Sequence, residues 1–328
     1  MERKIRWGII GTGFIANKFA EALQILPDAE LVAVGSRAAD TAKKFAKAFG
    51  IPHPHSSYEK LANNPDVDVV YIATPHPFHM ENTILCLKAG KAVLCEKPFA
   101  VNASQAQQMT DVAKAEKLFL MEAMWTRFLP IIMKVREWLG QGLIGPVRFL
   151  QVDFGFRCDW KPQDRLLNPE LAGGALLDVG VYTVALASMV FAGPPTKITG
   201  MAHLGQTGID EQSAMVLGYQ DGQLAVLSCA IRTQTLQEAV IVGTKGMIRI
   251  HSPFWSATTA TILIEDEEDE TIKIPHKCNG FEYEAREVMQ CLLAGKLESD
   301  YLPLDETLSI VKTMDEIRAQ WGLKYPME

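Results

Sequence analysis

The chain has no C-x-x-C pair, no internal repeat, no low-complexity linker and no apolar run long enough to span a bilayer. Its six cysteines, Cys86, Cys95, Cys158, Cys229, Cys278 and Cys291, are scattered. Without paired spacing they suggest neither a zinc site nor a thioredoxin-type motif, so no metal is expected and each cysteine reads as a small buried hydrophobe. The start, Met1-Glu2-Arg3-Lys4-Ile5-Arg6-Trp7, passes into a strand-like segment without a charged-then-apolar leader, so a cytoplasmic protein with no membrane partner is expected. Positive charge is also in deficit. A net charge of −7 argues against a general nucleic-acid binder, which needs a basic face.

What is present is ample apolar sequence in two patterns. At 328 residues the chain is long enough for two domains. Up to residue 122, short apolar runs at 5–10, 31–34, 67–73, 92–95 and 118–121 alternate with helix-like segments. Near-continuous apolar strands between helices predict a buried parallel sheet. Beyond residue 122 the spacing changes. Strand-like segments at 147–156, 196–204, 213–219, 224–231, 238–242, 247–250 and 261–264 are joined by turns such as Gln220-Asp221-Gly222-Gln223. They predict one large, mostly antiparallel sheet, interrupted by a helix at 176–190 and followed by helices at 281–294 and 305–320. The acidic run Glu265 to Glu270 lacks the spacing of a calcium loop and reads as a solvated hairpin tip. The expected boundaries are therefore 1–122 and 123–328.

Gly11-Thr12-Gly13-Phe14-Ile15-Ala16 follows the first strand and opens the first helix. In this G-x-G-x-x-A pattern Gly11 allows the tight turn, Gly13 lets a pyrophosphate approach the backbone, and Ala16 allows close helix–strand packing. The N–H groups of the helix start then face the phosphates. At the first βα turn of an α/β repeat, the pattern predicts a dinucleotide site. The second strand ends in Gly35-Ser36-Arg37, where an NAD site usually carries an acid. Arg37 can fork onto a 2′-phosphate and Ser36 can add a hydroxyl, so NADP is expected, with NAD possible.

Glu96-Lys97-Pro98 follows the fourth strand, beyond the carboxyl ends of the strands, where open α/β folds place their chemistry. The glycine motif, Thr74-Pro75-His76-Pro77-Phe78-His79 and Glu96-Lys97-Pro98 together resemble the glucose–fructose oxidoreductase, inositol dehydrogenase and MocA family. The resemblance continues through Arg165 to Tyr182 and covers essentially the whole chain. Met121-Glu122-Ala123-Met124-Trp125-Thr126-Arg127-Phe128 is most similar to its dimeric dihydrodiol dehydrogenase and NADP-dependent D-xylose dehydrogenase branch.

The resemblance implies an α/β fold: an N-terminal Rossmann doubly wound parallel sheet plus a C-terminal α+β domain with a large open mixed, mostly antiparallel sheet. It implies a cis Lys97-Pro98 bond, and catalytic roles for Lys97, Asp178 and Tyr182. Tyr182 stands where the inositol dehydrogenase pattern has His. Asp178 and Tyr182, four apart, share a helix face. Thr74, Pro75, His76, His79, Glu96 and Arg165 are expected at the cofactor, with a structural cap of the next helix as the alternative for His79, and Arg127 is a weaker candidate. Trp125, Phe154 and Trp255 are expected walls of an apolar substrate pocket.

The expected reaction passes a hydride between nicotinamide and a hydroxyl or hemiacetal carbon of a sugar or trans-dihydrodiol. Tyr182 would accept the hydroxyl proton and Lys97 would lower its pKa from near 10. The rival from another class is a non-catalytic dinucleotide-binding sensor, which would need neither residue. Alternating apolar residues on 213–219 and 224–231, including Met215, Leu217, Leu224 and Val226, predict a sheet apolar on both faces, and hence a homodimer through it.

Overall fold

The structure, a computed structural model, describes residues 3–328. Its elements run β1 (Ile5–Ile10), α1 (Phe14–Gln24), β2 (Ala29–Gly35), α2 (Ala39–Phe49), β3 (His53–His55), α3 (Tyr58–Ala62), β4 (Val69–Ile72), α4 (His79–Lys88), β5 (Ala92–Glu96), α5 (Ala103–Glu116) and β6 (Leu120–Ala123). They continue with α6 (Pro130–Gly140), β7 (Val147–Gly155), α7 (Val181–Phe191), β8 (Lys197–Leu204), β9 (Asp210–Gly218), β10 (Leu224–Ala230), β11 (Ala239–Gly243) and β12 (Gly246–Ile250). The last are β13 (Thr259–Ile264), β14 (Glu270–Lys273), α8 (Phe281–Leu293) and α9 (Leu304–Ala319).

The first unit holds a parallel sheet in the order β3-β2-β1-β4-β5-β6. β4 and β5 are buried along their whole length, as strands covered on both faces must be. The order reverses direction at β1, so the crevice beyond the carboxyl ends of β1 and β4 is where this topology receives a ligand.

One sequence expectation needs correcting. A single cut at 122/123 assigns everything after it to the second unit, but residues 277–307 belong to the first. α8 packs against α1, Asn279 Nδ2 donates to Lys18 O at 2.8 Å, and Leu120 N donates to Leu297 O at 3.1 Å. The chain returns because the apolar side of α8, with Phe281, Ala285, Val288 and Met289 buried, completes this core.

The second unit is an eight-stranded sheet, β14-β13-β12-β11-β7-β10-β9-β8. It is mixed, not a simple meander, because β7 pairs parallel with β10 and antiparallel with β11. The acidic run 265–269 forms the exposed turn between β13 and β14. One face, with Leu150, Val152, Met215, Leu217, Ala225, Leu227 and Ile241, is buried, and α7 packs on β7 and β10. The other face carries a row set by strand register: Leu263, Met247, Val242, Phe149 and Leu224, with Val240, Val226 and Val216 in the next row. Leu224 is 43% and Met247 40% exposed, and on β8 Met201 reaches 82%.

The stretch Pro169–Phe191 is long and apolar enough to cross a membrane by length and composition, contrary to the reading of the bare sequence. Its burial, 78% of the apolar window, identifies it as the core helix of this unit. Four cysteines are buried and Cys158 is intermediate. Cys278 is exposed, on the turn that leads into α8.

Candidate active site

In the first unit, the sequence-predicted residues gather at the carboxyl ends of β1, β2, β4 and β5. Gly11 has φ +105°, and a Cβ there would sit 2.6 Å from Ala73 O, so only glycine fits this turn. Gly13 is different: a Cβ there would meet nothing within 4 Å, which leaves an open approach to the start of α1. That start has no side-chain cap and no acid in its first turn, so its N–H groups remain available to an anion. Thr12, Phe14 and Ile15 complete the turn, and Phe14 is 78% exposed.

Arg37, exposed just past β2, lies over the Phe78 ring at 5.9 Å. Ser36 is buried, with Oγ 2.5 Å from Thr41 Oγ1. The open Gly13 cradle and exposed Arg37 fit a dinucleotide carrying a 2′-phosphate.

Lys97 is half-buried on a turn with a cis Lys97-Pro98 bond. Glu96 fixes the turn: it accepts from the Tyr71 hydroxyl and, at 3.1 Å, from Lys97 N. His79 is fully buried and braces the same turn from behind. Nδ1 lies 2.8 Å from Pro98 O, and Nε2 lies 2.8 Å from Thr74 O. Burial lowers its pKa, outweighing the pull of the carbonyls. His79 is thus a strut between the Thr74-Pro75 loop and the lysine turn, in keeping with the structural role that the sequence offers for it beside a place at the cofactor. His76 is buried, its ring 5.8 Å from that of His79. Trp125 also departs from expectation. It is 4% exposed and stacks on Phe281 at 4.5 Å, as a core ring of the first unit.

In the second unit, Asp178 lies in a π-helical turn, Leu176–Gly180, that runs directly into α7 and Tyr182. The i→i+5 turn is wider than an α-turn, and such insertions recur at functional sites. Asp178 is 4% exposed, and Arg165 Nη1 donates to its Oδ1 at 2.5 Å. Arg165 therefore holds Asp178. The Tyr182 ring lies 5.4 Å from Phe154, which stacks on Trp255 at 5.1 Å with planes 3° apart. Thr126 Oγ1 donates to the Trp255 backbone carbonyl at 2.6 Å, and Trp255 Nε1 donates to Gln237 Oε1 at 3.1 Å, so both the backbone and the indole of Trp255 are tethered. Arg127 is buried and donates Nη1 to Ala185 O at 2.8 Å, which anchors α7.

Residues 5–124 match the family described as an oxidoreductase family with NAD-binding Rossmann fold, and residues 132–249 match the GFO/IDH/MocA C-terminal domain. The chain belongs to the GFO/IDH/MocA oxidoreductase family. Trans-1,2-dihydrobenzene-1,2-diol dehydrogenase of Xenopus tropicalis is 40% identical over 332 residues, covering 98% of this chain and 99% of that protein. The Homo sapiens enzyme of the same name is also 40% identical, covering 99% of each. Among solved structures, the 3-ketoreductase KijD10 from Actinomadura kijaniata, crystallised with NADP and TDP-benzene, superposes with a TM-score of 0.85. It is 28% identical and covers 97% of this chain and 98% of its own. An aldose–aldose oxidoreductase from Caulobacter crescentus, complexed with glycerol, shares the fold at a TM-score of 0.88 and 24% identity, covering 98% and 99%.

Sequence reasoning missed two features of this oxidoreductase. One is the π-turn beneath Asp178. The other is Asp210 at the start of β9, whose Oδ2 accepts from Leu176 N at 2.6 Å. The clue to the second was Gly173-Gly174. A Cβ on Gly174 would lie 2.2 Å from Asp210 Oδ1, so the second glycine makes room for that carboxylate.

Proposed function

We propose that this oxidoreductase uses NADP to interconvert a hydroxyl-bearing carbon and its carbonyl in a trans-dihydrodiol or a sugar. The observation that carries the substrate half is the Tyr182 helix, which joins a hydroxyl to an aromatic wall and a held carboxylate. The dihydrodiol dehydrogenase relatives support the diol, and the NADP complex of the 3-ketoreductase supports the cofactor.

The first-turn N–H groups of α1 hold the pyrophosphate, and Arg37 with Ser36 takes the 2′-phosphate. The dinucleotide, when bound, supplies hydride transfer. Tyr182 accepts the substrate hydroxyl proton, and the charge of Lys97 favours the tyrosinate that does so. Asp178, held by Arg165, orients the substrate. The flat faces of Phe154 and Trp255 suit a diol ring or a sugar face.

A panel of trans-dihydrodiols and pentoses, run with NADP and with NAD and followed by reduced-nicotinamide absorbance, tests the proposal. Turnover is expected with NADP at lower cofactor concentration. Arg37→Asp is expected to weaken NADP binding by about tenfold or more, the scale of a charge-assisted fork, with little change for NAD. Equal affinity of the unmodified protein for both cofactors sinks the NADP assignment.

The outer apolar face of the eight-stranded sheet supports a further part of the reading, a homodimer through that face. Sedimentation is expected to give a dimer at micromolar concentration, and Val226→Glu, at the centre of the face, is expected to give monomer. A wild-type protein that sediments only as monomer removes this part.

A further inference from the structure

The helical turn carrying Asp178 begins without a cap of its own: Ala175 precedes it and offers no side-chain hydrogen bond. The missing acceptor comes from thirty-four residues along the chain. Asp210 is fully buried, and its Oδ2 takes the Leu176 N–H at 2.6 Å. Its Oδ1 is buried against Gly174 and accepts no hydrogen bond among the described residues. Gly174, at φ +122°, makes this approach possible, and the Tyr325 hydroxyl donates to Gly173 O at 2.8 Å from the other side.

The groups that face the carboxylate are the backbone of Ala175 and Leu176, Arg318 on α9, Tyr325 beyond it and Cys229 on β10. Arg318 is committed elsewhere, to Asp315 at 2.7 Å and Glu328 at 2.5 Å. The hydrogen bonding of the Asp210 carboxylate is thus to backbone, foremost to Leu176 at the first turn of the functional helix.

We propose that Asp210 is a positioning residue, which caps the Leu176–Gly180 turn and thereby sets where Asp178 and Tyr182 are presented. This rests on the reading that Tyr182 and Asp178 act on substrate. A buried carboxylate–amide bond is short and charge-assisted, and loss of such an acceptor frees the first turn to fray. The π-turn makes the placement sensitive, because slippage to an ordinary α-turn rotates every residue before it.

The test compares Asp210→Ala with Asp210→Asn, whose side-chain oxygen still accepts the Leu176 N–H. Asp210→Ala is expected to lower kcat by about tenfold or more, the scale of a lost cap, with the cofactor dissociation constant held within about twofold. Hydrogen exchange in peptides covering 174–182 is expected to quicken. Asp210→Asn is expected to recover kcat to within about threefold and restore the exchange protection. Unchanged kcat in Asp210→Ala, unchanged exchange at 174–182, or an Asn variant as poor as Ala each overturns the proposal.

If Asp210→Ala does not fold, the Asn variant decides. Asp210→Asn is then expected to keep kcat within about threefold of wild type together with the exchange protection at 174–182, and a kcat loss of about tenfold or more with that protection intact overturns the proposal. Tyr182→Phe separates the two readings. If it is fully active, the proposed chemistry fails while the exchange data still report on the cap. If it is inactive and Asp210→Ala is normal, only the positioning role fails.

Discussion

Tyr182→Phe is expected to cut turnover by about 100-fold or more, the usual cost of removing a general acid–base group. The substitution removes one oxygen and keeps the ring. The ring makes the packing contacts, lying 5.4 Å from Phe154 at an interplanar angle of 56°, so folding and NADP affinity are expected to survive. Lys97→Met is expected to be comparably damaging for a different reason. In the proposed chemistry it removes the positive charge that lets a tyrosine work below its ordinary pKa near 10, so any residual activity is expected to show its basic limb moved to higher pH. The turn itself should persist, because Glu96 and His79 brace its backbone. If the two residues act as one unit, the double variant loses far less than the product of the single losses. Steady-state kinetics under conditions where chemistry is rate-limiting checks all three. Near-normal turnover in Tyr182→Phe would pass the role of base to Asp178 or His76.

The parts of this site legible in the sequence were those whose physical reason is local. Gly11, Gly13 and Ala16 answer to one turn of six residues, and their spacing states the requirement. Arg37 was legible because the position just past β2 has a fixed meaning in this topology. The strands from β7 to β13 were legible from alternation and turns. What escaped depends on partners far along the chain. Trp125 finds its ring partner at Phe281, and the Leu176 turn finds its cap at Asp210. The π-turn left no signature because Leu176 to Ala187 is buried on every face, which erases the periodicity that would have revealed a wider turn. β3 and β14, of three and four residues, carry too little apolar alternation to be recognised.

Asp210 also makes a large prediction for stability against pH. Burial pushes its carboxyl from the ordinary 3.8 up to about 7, even though the N–H groups of Leu176 and Ala175 and the charge of Arg318 pull the other way. A carboxyl raised in the folded state stabilises fully below its unfolded pKa, and that contribution disappears as pH rises through the folded value. The interval from 3.8 to about 7, at about 1.4 kcal/mol per pH unit, sets a contribution on the order of 4 kcal/mol, lost between about pH 4 and 7. Glu284, fully buried with neither oxygen hydrogen-bonded among the described residues, is raised by the same cause and has the same sign. His79 opposes both. Its pKa is lowered by burial, so its neutral form is favoured in the fold and stability falls as pH drops below about 6.5. Glu328, held by Arg318 down to about 2, and Asp68, held low beside Arg6, act only below the ordinary carboxyl range, outside this window. The wild-type curve is therefore a partial cancellation, and the informative quantity is a difference. Urea unfolding of wild type and Asp210→Asn at pH 5 and pH 8 should show the wild type losing stability relative to the variant on going to pH 8. The Asn side chain cannot ionise, yet it keeps the acceptor for Leu176, so folding is retained while the linkage disappears. A wild-type-minus-variant difference that does not change with pH would mean that Asp210 titrates in the fold as it does in the unfolded chain, and the burial argument would fail.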